Sequence, residues 1–114
     1  MALKPKIYFL EWVLAANQAI EKNFSISELY SWTMTQMTHE KTGDAEIQFL
    51  KVGDEDMLEK PTRISLITGN NSRLLVLPQP LDVPKKGTVS VKVADKSGAG
   101  NTVVIGFIGV KRTG

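Results

Sequence analysis

Apolar and polar residues alternate most regularly at positions 88–93, where Val89, Val91 and Val93 are interleaved with Thr88, Ser90 and Lys92. A period of two gives a half-buried strand one apolar and one polar face. Asp95-Lys96-Ser97-Gly98-Ala99-Gly100-Asn101 then supplies turn-forming residues, and 102–110 returns as a β-branched and aromatic run, so the two segments predict an antiparallel hairpin. The returning segment is apolar on both sides: Val103, Ile105 and Phe107 share one face, and Val104, Ile108 and Val110 share the other. Such a strand is expected to be covered on both faces, by its own chain or by a neighbouring subunit.

The same alternation runs through 29–38, with Tyr30, Trp32 and Met34 against Ser31, Thr33 and Thr35, and through 45–52, with Ile47 and Phe49 inward. His39-Glu40-Lys41-Thr42-Gly43-Asp44 between them predicts a turn, and with it a second hairpin. Gly53-Asp54-Glu55-Asp56 reads as an acidic loop. Residues 62–68 alternate again, Ile64 and Leu66 against Arg63 and Ser65, and Gly69-Asn70-Asn71-Ser72 is a tight turn by composition. Pro78, Pro80 and Pro84 keep the next stretch extended but unable to pair fully, which assigns it to a sheet edge or a crossover. Pro84-Lys85-Lys86-Gly87 is the turn into the Val89 strand. Residues 7–20 fit two patterns. Phe9, Val13, Ala16 and Ile20 share a helical face, whereas in an extended chain Tyr8, Leu10, Trp12 and Leu14 oppose Phe9, Glu11 and Val13. The strand is preferred because every later element is a strand; a short helix is the alternative.

The expected fold is therefore all-β, a small antiparallel, jelly-roll-like β-sandwich of about seven or eight strands. Its 114 residues, 42% of them hydrophobic, suit one core and a single domain over 1–114, with 1–6 and 113–114 as loose termini. Without cysteine there is neither a disulfide framework nor thiolate chemistry. A net charge of +2, from 14 basic and 12 acidic side chains spread along the chain, leaves no electrostatic footprint for nucleic acid. Lys4 and Lys6 ahead of IYFLEWVLAA resemble a signal peptide, but Glu11 interrupts the apolar region, and no apolar run approaches the roughly 20 residues of a membrane span.

Candidate chemistry is sparse. His39, the one histidine, has no serine and carboxylate selected for it as a general base, and zinc lacks ligands. Asp54, Glu55, Asp56 and Glu59 lack the ordered spacing and glycine of a calcium loop. Gly98-Ala99-Gly100-Asn101 precedes a strand, not the helix N-terminus that a phosphate loop requires. No catalytic set, metal or cofactor is expected. The sequons at Asn23-Phe24-Ser25 and Asn70-Asn71-Ser72 are short patterns frequent by chance. Tyr8, Trp12, Tyr30 and Trp32 are candidates either for a sugar-stacking platform or for core and subunit contact.

The succession LAANQAI (14–20), SELYSWTMTQMTHEKTGDAEIQFL (27–50), RISLITG (63–69), LLVLPQPLDVPKKGTVSVKV (74–93), SGAGNTV (97–103) and GFIGVKR (106–112) resembles the small jelly-roll-like β-sandwich proteins of bacteriophage virions. These serve as head decoration, minor capsid or vertex components, and the resemblance covers about residues 12–112. It implies a non-enzymatic virion protein, made in the host cytoplasm, that binds the major capsid protein and forms a homo-oligomer, a trimer ahead of a dimer, with no nucleic-acid or membrane partner. On that reading Tyr8, Leu10, Trp12, Val104, Ile108 and Val110 bury apolar surface between subunits, at about 25 cal/mol per Å². Lys85, Lys86, Lys111 and Arg112 steer the protein onto an acidic capsid surface. A carbohydrate-binding sandwich with exposed stacked aromatics, and a neck or tail adaptor, are the alternatives.

Overall fold

The computed structural model describes residues 2–58, 60–64 and 75–113. Nine strands occur among these residues: β1 (Ala2–Leu14), β2 (Ala19–Ser25), β3 (Ser31–Lys41), β4 (Ala45–Val52), β5 (Glu55–Asp56), β6 (Thr62–Arg63), β7 (Leu75–Val83), β8 (Thr88–Asp95) and β9 (Asn101–Thr113). They form two antiparallel sheets around one core, ordered β1-β9-β3-β7 and β2-β8-β4-β5, with β6 also pairing β4. The pairs nest: β1 with β9, β2 with β8, β3 with β7, and β4 with β5 and β6. One long hairpin has been folded over into two sheets, which is jelly-roll connectivity.

Residues 7–20 form two strands joined by a turn rather than a helix. β1 runs through Leu14, the Gln18 amide donates to the Ala15 carbonyl (3.0 Å) to close a turn, and β2 begins at Ala19. Pairing with β9 along the whole of β1 decides between the two patterns, and the Trp12 indole N–H fixes the turn from inside by donating to the Ile20 carbonyl at 2.9 Å. Residues 2–6, expected to be a loose terminus, extend β1 against 109–113 of β9. The proline-containing segment is β7, which among the described residues pairs with β3 alone at the end of its sheet, and the Gly87 amide closes the following turn on the Pro84 carbonyl (2.9 Å).

The two hairpins read from the sequence are not formed. β3 and β4 lie in opposite sheets, as do β8 and β9, so residues 42–44 and 96–100 cross between sheets. Alternation fixes which face a strand buries but not which neighbour it takes, and sheets about 10 Å apart are within reach of a short loop. Two bulges also shift the expected faces. In β3 the register slips between Met34 and Gln36, so that Trp32, Met34, Met37 and His39 all enter the interior. In β4 it slips between Ile47 and Phe49, so Leu50, not Phe49, joins Ile47 in the core. His39 is thus a buried strand residue rather than a turn residue, and its burial, helped by the charge of Lys41, lowers its pKa. β6 ends at Arg63. Ile64 follows as a buried core residue, whereas residues 65–68 of the expected 62–68 strand, the Gly69-Asn70-Asn71-Ser72 turn and Glu59 lie outside the described residues.

The core takes Val89, Val91 and Val93 from β8 and Val103, Ile105 and Phe107 from β9, the alternations read from the sequence. Toward one end an aromatic cluster joins the sheets: Phe24 of β2 stacks on Tyr8 (4.4 Å between centroids), and the Trp32 indole meets both edge-on at 5.0 and 5.7 Å. Gly109 makes room for that indole, since a Cβ there would lie 2.8 Å from it and 2.2 Å from the Thr33 carbonyl oxygen.

The opposite end is closed by hydrogen bonds. The Asp95 carboxylate accepts from the amides of Asn17 (2.9 Å), Ser97 (2.9 Å) and Gly98 (3.1 Å) and from the Ser97 hydroxyl (2.6 Å). Asn101 donates to the Asp44 carbonyl (2.8 Å) and accepts from the Gly43 amide (3.0 Å), tying the 42–44 crossing to β9. Asn17 holds a left-handed backbone (φ 62°), a conformation Asn tolerates better than most residues.

Candidate interaction surface

The outer face of the β1-β9-β3-β7 sheet is built by strand register. Along β1 the even-numbered Tyr8, Leu10, Trp12 and Leu14 turn inward, and the odd-numbered Pro5, Ile7, Phe9, Glu11 and Val13 turn outward. The ladder sets Val110 beside Pro5, Ile108 beside Ile7, Gly106 beside Phe9 and Val104 beside Glu11. On the other flank of β9, β3 places Thr33, Gln36, Thr38 and Glu40 against those same four residues. Ile7, Phe9 and Val13 are 45%, 65% and 68% exposed, far above what their side chains favour, while Val104, Ile108 and Val110 are half-buried. The Phe9 ring lies across Gly106, where a Cβ would come within 2.9 Å of it, and an open trough runs past it between Thr38 and Val104. The result is a contiguous apolar stripe on β1 and β9, bordered by hydroxyls and amides on β3.

Of the residues singled out from the sequence, Val104, Ile108 and Val110 lie together on this face. Trp12 does not: it is 0% exposed in the chain's own core and offers nothing to a partner. Tyr8 and Leu10 share its inward register and pack, half-buried, against that core. The outward apolar residues of β1 are instead Ile7, Phe9 and Val13. One signal for them was present, because Glu11 shares their odd register and a carboxylate belongs on the solvent side. Trp12 and Trp32 are both fully buried, which removes them from the exposed platform of the carbohydrate-binding alternative, and Tyr8 and Tyr30 are half-buried.

The four basic candidates gather at one end of the sandwich, since Lys111 is level with Trp32, and Trp32 with Val83 just before the 84–87 turn. Lys85 and Lys86 are exposed in that turn, and Lys86 meets Glu28 at 3.7 Å. Arg112 meets Asp82 at 3.5 Å. The Lys111 ammonium sits over the Tyr30 ring (5.3 Å) and that of Lys6 over the Tyr8 ring (5.4 Å), while the two phenol oxygens are 2.8 Å apart. Burial, and then the hydrogen bond with Tyr30, raise the Tyr8 pKa, so the Tyr8 phenol stays neutral and adds no negative charge to this end.

Elsewhere, Asp56 of the acidic run accepts from the Leu50 and Leu58 amides (3.3 and 3.0 Å), a turn-closing role, and the Ser97 and Gly98 amides of the glycine loop are taken up by Asp95. Among the described residues no group of three or more His, Asp and Glu is placed to hold a metal ion. Searches of protein-family models, characterised proteins and solved structures give no match to this chain.

Proposed function

We propose that this chain is a non-enzymatic structural protein of a bacteriophage virion, a capsid decoration or minor capsid component that binds the major capsid protein and its own copies. One observation carries the reading: an apolar stripe of Ile7, Phe9, Val13, Val104, Ile108 and Val110 faces outward on a jelly roll whose core is already filled. A sandwich has no internal use for such a face, whereas burying it against another polypeptide is favourable by about 25 cal/mol per Å². The jelly-roll connectivity supports the same reading through the resemblance described above, although a fold by itself assigns no function. The basic end at Lys85, Lys86, Lys111 and Arg112 steers the protein onto an acidic lattice, an effect weakened by salt.

Mass spectrometry of purified particles, with copy number, tests the proposal. Hundreds of copies place the protein in the head shell, and about a dozen or fewer assign it to the neck, tail or vertices, as symmetric rings require. Absence from the particle overturns the reading.

A further inference from the structure

Given the assembly reading above, on which this rests, we infer that two copies of the chain pack through the outer face of the β1-β9-β3-β7 sheet about a two-fold axis that crosses the strands at Ile108. The face fits that use in size. Nine residues of β1 at about 3.4 Å each and four strands at about 4.8 Å give roughly 30 by 19 Å, the scale of an interface burying about 800 Å² per partner. An axis running across the strands lays the β1 and β9 stripe of one copy on the same stripe of the other. An axis along β9 would instead set it on the threonines of β3.

The charges select the position of the axis. Counting along β9 from Ile108, Arg112 lies four residues toward one end and Val104 four toward the other. Val104 is flanked across the ladder by Glu11 on β1 and Glu40 on β3, both exposed. Two-fold rotation at Ile108 therefore sets Arg112 over the partner's Val104, between the partner's Glu11 and the partner's Glu40, and does so twice per dimer. The intrachain contact of Arg112 with Asp82 is solvent-exposed at 3.5 Å and gives little resistance. A guanidinium has donors enough for both sides.

Sedimentation of the purified chain over a range of concentrations tests this, with circular dichroism confirming that each variant is folded. The wild type dimerises. Ile108→Asp weakens association roughly thirtyfold or more, as loss of a central anchor does; Ile7→Asp, on the same row, replaces it should that variant not fold. Asn23→Asp, exposed on β2 of the opposite sheet, leaves the constant unchanged. R112E weakens it by about tenfold, as does the E11R/E40R pair, and the triple variant R112E/E11R/E40R regains the wild-type value. A triple variant no tighter than R112E, with Ile108→Asp still disruptive, overturns this axis and leaves the assembly reading standing. A wild type that stays monomeric overturns the dimer, and the particle measurement then decides the assembly reading separately.

Discussion

Replacing Trp32 with alanine is expected to lower stability by about 3–5 kcal/mol, the usual cost of truncating a large buried aromatic. The indole is 0% exposed and is the piece through which three strands and both sheets meet. It packs edge-on against Tyr8 of β1 and Phe24 of β2, fills the space left by Gly109 on β9, and donates from its ring nitrogen to the Lys6 carbonyl at 3.0 Å. Alanine leaves a cavity and a carbonyl without its donor, and β3 cannot slide to fill the gap because both of its flanks are already paired, to β9 and β7. Domains of this size have about 5–15 kcal/mol in total, so a large share is at stake. Urea unfolding followed by far-ultraviolet circular dichroism checks it. Leu29→Ala serves as the contrast, since Leu29 is 74% exposed and its truncation should fall within about 0.5 kcal/mol. A loss below about 1 kcal/mol at Trp32 would contradict the described core.

Asp95→Asn is expected to loosen the opposite end and to remove the most acidic part of the stability profile. The carboxylate accepts from three amides and the Ser97 hydroxyl, with Asn101 adding a longer contact at 3.3 Å. An asparagine would turn an N–H toward donors that need an acceptor. The melting temperature should fall well beyond that of Asp44→Asn, whose carboxylate is half exposed beside Arg63 and whose pairing contributes at most about 1 kcal/mol. The pH dependence separates two groups. The Ser97 hydroxyl, followed by the Asn17 amide, holds the Asp95 pKa well below its ordinary 3.8. Its stabilisation is thus fully present above that value and is lost as the pH falls below it, because the unfolded chain takes up the proton first. His39, lowered by burial from 6.5, acts in the same direction at higher pH, with stability declining as the pH drops below 6.5. Thermal melts from pH 8 to pH 2 should show both declines in the wild type and only the His39 decline in Asp95→Asn. An unchanged acid limb in the variant would refute the role given to Asp95.

What the sequence made legible follows from what a period of two encodes. Val89, Val91 and Val93, and the two-sided run from Val103 to Val110, mark faces, and the faces are where they were read. Neighbours are another matter. The 96–100 and 42–44 segments have the composition of hairpin turns, yet both cross the core, because loop chemistry does not record whether the next strand lies beside or opposite. Bulges erased the rest: an extra residue near Thr35 carries His39 inward, and one near Gln48 exchanges Phe49 for Leu50. On β1 both registers are apolar, so the burial of Trp12 and exposure of Phe9 had to be settled by the sheet, with Glu11 as the local clue. Asn101 closes a crossing loop through contacts that span more than fifty residues, which no local pattern announces.

The apolar stripe on the outer sheet face is the claim on which the functional reading stands, and hydroxyl-radical footprinting at low and high protein concentration addresses it most directly. Labelling of Ile7, Phe9 and Ile108 should be strong in the dilute chain and suppressed on concentration, while exposed Leu29 in the 26–30 loop keeps a constant yield as internal reference. Equal labelling of Ile7, Phe9 and Ile108 at every concentration, and again in the presence of purified capsids, would contradict it.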